Sequence, residues 1–281
     1  MAQSSTSSDL KSWTALLLLA PLTIVMLLVF VYPLITTAWT SVHPGGFSVQ
    51  AYIDLAGSTL FFKVLRSTFE ISISGTLVSL VIGFPVAMHL AAQTPRRRSG
   101  YLILVMLPFW TSILVKSFAF TVILGDHGIV NNILRALFGP VAVLPLLFNR
   151  TGVVIGSVHW LLPFMVFPIL VNLLAQGSDL HYAARVMGAG RTRTFFRITL
   201  PLSIPGVLAG CVITLVLSLG SFVTPALLGG RRDLMMASLV DFYTRVSLDW
   251  ASASAIAVLL LAITGGLILL LTRLPGEHRL I

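Results

Sequence analysis

The chain has 281 residues, 57% hydrophobic and only 10% charged, with a mean hydropathy of +0.98. Soluble domains are about 25% charged, so a chain this long with so few charges cannot cover a water-facing surface, which argues against a soluble globular domain. The net charge of +9 comes from 18 Lys and Arg against 9 Asp and Glu. The bases cluster between apolar runs, which fits membrane lipid and its anionic cytoplasmic face better than a nucleic acid partner.

A helix crossing about 30 Å of hydrocarbon at about 1.5 Å per residue needs about 20 mostly apolar residues. Residues 1–12 are Ser-rich and read as a disordered cytoplasmic N-terminus. The first span covers residues 13–39. A cleaved signal peptide is its rival, but the run exceeds an h-region of about 7–15 residues, and no clear small-x-small site follows. Further spans fall at 67–92, 101–124, 152–175, 206–228 and 251–272, followed by a cytoplasmic tail at 274–281. The expected fold class is an all-α membrane protein of six transmembrane helices with a cytoplasmic coupling-helix loop.

With the N-terminus inside, ten of the 18 bases fall on the cytoplasmic side, seven fall outside, and Lys116 lies within a span. The tight Arg96-Arg97-Arg98 cluster between the second and third spans is the strongest vote for this orientation. Residues 125–150 carry Asn131-Asn132-Ile133-Leu134-Arg135 with Pro140 and Pro145, and are expected to hold a short amphipathic helix along the outer surface. Cys211 is the single cysteine and lies in an apolar run, so neither a disulfide framework nor a Cys metal site forms within the chain. The six histidines are scattered and form no His-x-x-x-His pair. No metal site is expected.

The segment 177–205, between the fourth and fifth spans, is unusual. Ser178 or Asp179 can cap a helix start. Leu180, Ala183, Ala184 and Met187 fall on one stripe. Gly188 can end the helix in a left-handed conformation, and Gly190 permits a second turn. A second short helix then runs from about Arg191 to Thr199, stopped by Pro201 and Pro205. Two short helices would lie flat at the cytoplasmic face, with small residues Ala183, Ala184, Gly188 and Ala189 letting another protein approach closely. On physics alone, an ordinary basic loop at the lipid headgroups fits equally well.

The same stretch resembles the coupling loop of ABC importer permeases, whose pattern is Glu-Ala-Ala, three residues, Gly-Ala, a spaced Phe, and Leu-Pro-x-x-x-Pro-Gly. The matching positions are Ala183, Ala184, Gly188, Ala189, Phe195, Leu200, Pro201, Pro205 and Gly206. The departure is Tyr182, where the family has Glu. Tyr donates a hydrogen bond but carries no charge near neutrality. Beyond the loop, residues 64–68, Gly83-Phe84-Pro85-Val86-Ala87, Leu107-Pro108-Phe109-Trp110-Thr111-Ser112 and the run Phe222 to Gly230 resemble the spermidine/putrescine-type branch. The resemblance covers most of the chain from residue 60 onward and implies a permease domain over 60–273.

The resemblance implies three kinds of partner: a second homologous permease, two cytoplasmic ATPase subunits, and an extracytoplasmic solute-binding protein. It implies a bacterial inner-membrane location, and no cofactor in this chain, with ATP and Mg held by the ATPases. The residues it assigns to ATPase coupling are Asp179, Tyr182, Ala183, Ala184, Arg185, Gly188, Ala189, Phe195 and Pro201. The chain itself is expected to be no enzyme. A phosphate-cradling loop needs Gly directly before Lys, and Lys11, Lys63 and Lys116 follow Leu10, Phe62 and Val115. No Ser-His-Asp nucleophile motif is recognisable either.

Charges inside spans cost about 2.5–3.5 kcal/mol and so face protein or water. Glu70 and Lys116 are the two candidates, as a polar lining of the outer vestibule, with snorkelling or a structural ion pair as the alternative. Pro225 breaks the end of the fifth span, and Phe222, Thr224 and Pro225 read as an outer gate, with a plain helix stop as the alternative. Trp110, Thr111 and Ser112, after Pro108, are path-lining candidates or simple packing. A stand-alone secondary transporter or channel is the other functional class, but it needs a coupling-ion site on broken helices, and intramembrane acids are nearly absent. The expected cargo is a small polyamine-like or related organic solute, although a cationic cargo would want acidic residues along its path.

Overall fold

The structure, a computed structural model, describes residues 12–43 and 45–273. The disordered N-terminus and tail expected from the sequence lie, but for Ser12, outside the described residues. All regular structure among the described residues is helical. Six helical stretches are long and apolar enough to cross a membrane.

Helix α1 (Ser12–Met26) passes through a π-helical turn at Leu27–Val31 into α2 (Tyr32–Val42). The turn sits just before Pro33, whose ring would otherwise meet the preceding carbonyls. A short α3 (Gln50–Gly57) leads into the 33-residue α4 (Thr59–Ala91), about 50 Å long. Ser58 caps α4, its hydroxyl accepting from the Phe61 N–H at 3.2 Å. At the far end Arg98 donates to the carbonyls of Leu90, Ala91 and Gln93 at 2.9–3.1 Å, satisfying acceptors the helix leaves open.

The third span expected at 101–124 is not one helix. Helix α5 (Pro95–Trp110) starts earlier and takes Arg96, Arg97 and Arg98 into its first turns, so the basic cluster is helical rather than a loop. The chain extends at Thr111 and Ser112 and restarts as α6 (Ile113–Leu124). Pro108 underlies the break: it supplies no N–H to the ladder. Helix α7 (Ile129–Phe138) is the short amphipathic helix expected in 125–150. Asn131 is fully buried and ties it down, donating to the carbonyls of Gly125 and Leu144 and accepting from the Leu144 N–H.

Helix α8 (Arg150–Ala175) runs parallel to α4, and α9 (Ser178–Val186) follows it. The second short helix expected at 191–199 is instead the start of a long one. Helix α10 (Arg191–Thr194) continues through a π-helical turn at Phe195–Thr199 into α11 (Leu200–Leu219). Pro201 therefore does not stop the helix; the wider turn before it accommodates the ring and the missing N–H. The break comes later, at Gly220–Phe222, before α12 (Val223–Leu228), and Pro225 sits in the first turn of α12, where no N–H is needed. Helices α13 (Met236–Arg245) and α14 (Trp250–Arg273) complete the chain. The N–H of Ser252 donates to Asp249 at 3.1 Å at the start of α14. The Ser252 side chain, above all, holds the Asp249 carboxyl below the usual range.

The core is a seam of small residues where α4, α8 and α11 meet. Gly206, Gly210, Thr214 and Ser218 repeat every four residues on α11 and are all buried. A Cβ at Gly206 would lie 2.6 Å from the Asn172 Cβ and 2.8 Å from the Pro168 carbonyl, and one at Gly210 would lie 2.9 Å from the Met165 sulfur. Without a hydrophobic drive between helices in lipid, such close backbone approach is what holds them together.

Candidate functional site

Two sites lie at opposite ends of this bundle, because α8 begins at Arg150 beside the start of α4 and ends at Ala175 just before α9.

At the α9 end, Gly177 occupies the cap position, so Ser178 and Asp179 open the helix rather than cap it. Gly188 stands at φ +74°, the left-handed region. Its N–H donates to the Arg185 carbonyl at 3.0 Å and the Ala189 N–H donates to the Ala184 carbonyl at 2.9 Å. These two bonds close the helix in a Schellman arrangement, which a side chain at Gly188 would strain.

The apolar stripe read on α9 is turned mostly outward. Ala184 is buried, but Leu180, Tyr182, Val186 and Met187 are exposed, Met187 to 79%. Ala183, Asp179 and Arg185 are exposed as well, and Ala189 is half-buried. An apolar helix face turned outward on so short an element fits a protein surface better than water. The helix entering α11 is fastened to the bundle through Phe195, whose ring meets Phe84 of α4 edge to face with centroids 6.0 Å apart. Phe196 also meets the Phe195 ring edge to face, with centroids 4.9 Å apart. Pro201 lies in the first turn of α11.

At the opposite end, α12 is sunk into the bundle. Thr224, Pro225 and Leu228 are buried, and a Cβ at Gly156 of α8 would lie 2.4 Å from the Leu228 side chain. The Thr224 hydroxyl is 3.5 Å from that of Ser117 on α6. Of the three gate candidates, Phe222 alone is exposed.

Glu70 and Lys116 have separate partners. Glu70 accepts from Arg66 at 2.7 Å, one helical turn away, and from Arg150 of α8. Arg150 also reaches Asp233 at 3.3 Å. At the α5–α6 break the Pro108 carbonyl accepts from Lys116 and from the Thr111 hydroxyl, the latter at 3.1 Å. A cavity of about 300 Å³ beside that break is lined by Phe109, Thr111, Lys116, Trp160 and Phe164. Trp110 and Ser112 are exposed away from it. Sequence reasoning missed Arg150 and Asp233, which lie 80 and 163 residues from Glu70. Only the Arg66–Glu70 spacing of four could have been read in advance.

Residues 75–274 match the family described as binding-protein-dependent transport system inner membrane component. The chain is 31% identical over 256 residues to the spermidine/putrescine transport system permease protein PotB of Haemophilus influenzae, covering 91% of this chain and 88% of that protein. It is 32% identical over 227 residues to PotB of Escherichia coli, covering 81% and 82%. A bacterial alginate ABC transporter, solved with a periplasmic protein bound to an alginate pentasaccharide, has a chain of similar fold. Its TM-score is 0.77 at 21% identity, covering 92% of both chains. The MetNI methionine ABC transporter, inward facing, superposes with a TM-score of 0.58 at 17% identity, over 76% of this chain and 94% of that one.

Proposed function

The chain belongs to the binding-protein-dependent transport system inner membrane component family and is a permease subunit of an ABC importer; from that premise we propose that it forms half of the path for a polyamine-like solute, driven through α9. The observation that carries the coupling role is the exposed apolar face of α9, closed by left-handed Gly188 and standing on a helix that runs unbroken from Arg191 to Leu219.

In this reading α9 lies on the cytoplasmic side, where the N- and C-termini also lie, and docks on an ATPase subunit. Tyr182, Ala183, Arg185 and Met187 touch that subunit, with Asp179 beside them. Ala184 packs inward, and Gly188 with Ala189 fixes the exit angle. The chain is not itself catalytic. ATP and Mg bind two partner subunits, a second permease forms the other half of the path, and a binding protein delivers cargo from outside. When the ATPases close, they displace α9. The helix from Arg191 to Leu219 carries that displacement as a lever to the buried α12, and access switches from one side to the other.

The names of the PotB relatives support polyamine cargo. The spans of this chain offer such a cation little charge to bind. Glu70 is already shared between Arg66 and Arg150. Recognition of the cation therefore falls to the binding protein and the partner permease, while this chain supplies the aromatic cavity at Phe109, Trp160 and Phe164.

Reconstitution tests the proposal. Proteoliposomes holding this chain, the second permease, the ATPases and the binding protein should take up spermidine only with ATP. Uptake by this chain alone without nucleotide would establish a secondary transporter or channel instead.

A further inference from the structure

We propose that the basic pocket beside the start of α4, at the end of the bundle opposite α9, is the socket that receives acidic side chains of the extracytoplasmic binding protein. The proposal rests on the importer reading above, which places this end outside the cell, and adds to it the residues and the chemistry of the contact.

The pocket has a volume of about 460 Å³, and Lys63, Arg66, Arg150, Arg231 and Arg232 line it with a single acid, Glu70. The acids nearby are already engaged. Glu70 binds both Arg66 and Arg150, and Asp233 binds Arg150. Lys63, Arg231 and Arg232 are exposed and pair with no carboxylate among the described residues. Three uncompensated cations around one concavity repel each other, and an incoming anion relieves that repulsion.

The turn that carries two of them is held firmly. Asp233 is only 7% exposed; its carboxylate accepts from the Gly230 N–H at 3.1 Å, and its own N–H donates to the Gly230 carbonyl at 3.0 Å. The Ser67 hydroxyl donates to the Arg232 carbonyl at 3.3 Å, and the Thr68 hydroxyl accepts from the Met236 N–H at 2.9 Å. A Cβ at Gly230 would lie 2.5 Å from the Phe148 carbonyl, so the turn sits hard against the segment entering α8. Cations presented on a pinned turn lose little freedom on binding, which favours affinity.

The occupant follows from charge and place. A phospholipid phosphate carries about one charge at neutral pH and would leave most of the surplus unmet, whereas several carboxylates on one protein face match it. The pocket lies along the first three turns of α4, beside Arg150 at the start of α8, and the Arg231–Arg232 turn closely follows the buried α12. Binding here pulls on the turn next to the gate candidate, so docking and gating share one piece of backbone.

The test uses the whole complex, with its partner permease and ATPases, in nanodiscs of phosphatidylcholine alone, with the cognate binding protein as the probe. Replacing Lys63, Arg231 and Arg232 together by Gln should weaken binding about thirtyfold at low salt and flatten its salt dependence. The conservative triple (Lys63→Arg, Arg231→Lys, Arg232→Lys) should bind within about twofold of wild type. If the Gln triple fails to copurify with the ATPases, single Gln variants should each weaken binding about threefold. Wild-type affinity in the Gln variants would overturn the socket. So would a loss seen only in discs containing anionic phosphatidylglycerol, because the occupant would then be a lipid headgroup. A wild-type complex that fails to bind the binding protein at all would instead sink the importer reading itself.

Discussion

Phe195 and Phe84 meet edge to face, ring centroids 6.0 Å apart and planes at 79°, and so join the segment after α9 to the flank of α4. Aromatic pairs of this geometry contribute about 0.5–1.5 kcal/mol beyond burial. Any force on α9 reaches α4 through this contact as well as through the helix into α11. Phe195→Ala should therefore lower ATP-driven uptake about tenfold while leaving ATP hydrolysis by the complex, so that the two become uncoupled. Phe84→Ala should do the same, and the double variant should cost no more than either single. Uptake and hydrolysis measured on the same proteoliposomes check this; additive losses would mean that the rings act independently.

Gly206 has no room for a side chain. A Cβ there would lie 2.6 Å from the Asn172 Cβ and 2.8 Å from a backbone carbonyl. Gly206→Val should force α11 off α8 and cost about 1–3 kcal/mol or more, read as a lower melting temperature in detergent and reduced recovery of intact complex. Gly100 meets nothing within 4 Å, so Gly100→Ala should melt with wild type. Equal melting of the two variants would contradict the small-residue seam.

Glu70 holds α4 to α8 through Arg150. Glu70→Gln leaves Arg66 without a carboxylate and Arg150 with Asp233 alone, and should lower the melting temperature by a few degrees. The KM for cargo should stay near wild type, because both carboxylate oxygens are already engaged by guanidinium groups. Lys116→Met should act differently, lowering the rate of uptake, since Lys116 closes the backbone break beside the aromatic cavity. Steady-state uptake together with thermal melting separates the two. A raised KM in Glu70→Gln with unchanged melting would return Glu70 to the path.

Much of this was legible in the sequence, for definite reasons. Apolar runs of spanning length announce themselves by composition, and local spacing in residues 178–186 announces a short helix between two of them. Gly188 was readable as a left-handed helix end because few other residues tolerate that backbone. Proline misled in both directions. Pro201 reads as a stop but is absorbed by a π-helical turn, whereas Pro108 reads as interior and accompanies a real break. Of the stripe read on α9, Leu180 and Met187 are exposed and Ala184 is buried, a division that spacing alone does not reveal. Arg150 and Asp233 were invisible for another reason: contacts across 80 residues or more leave no local pattern.

Tyr182 stands where related coupling loops have an acid, and its ring is 65% exposed. Tyr182→Glu should be tolerated, with uptake at or above wild type, because it restores the Glu of the coupling-loop pattern that this segment resembles. Uptake assays on the assembled importer decide this. A complete loss would show that the ATPase of this system has adapted to the phenol.

The central claim is that α9 is the surface through which ATPase subunits move this chain. Ala183 is the best probe position, since it is exposed while neighbouring Ala184 is buried. The native Cys211 should first be replaced by Ala so that it does not react. A cysteine at Ala183 should crosslink to an ATPase subunit in intact membranes, with a yield that changes when ATP is added, and should resist membrane-impermeant reagents applied from outside. Labelling from the outside, with no crosslink to a nucleotide-hydrolysing subunit under any condition, would contradict the account.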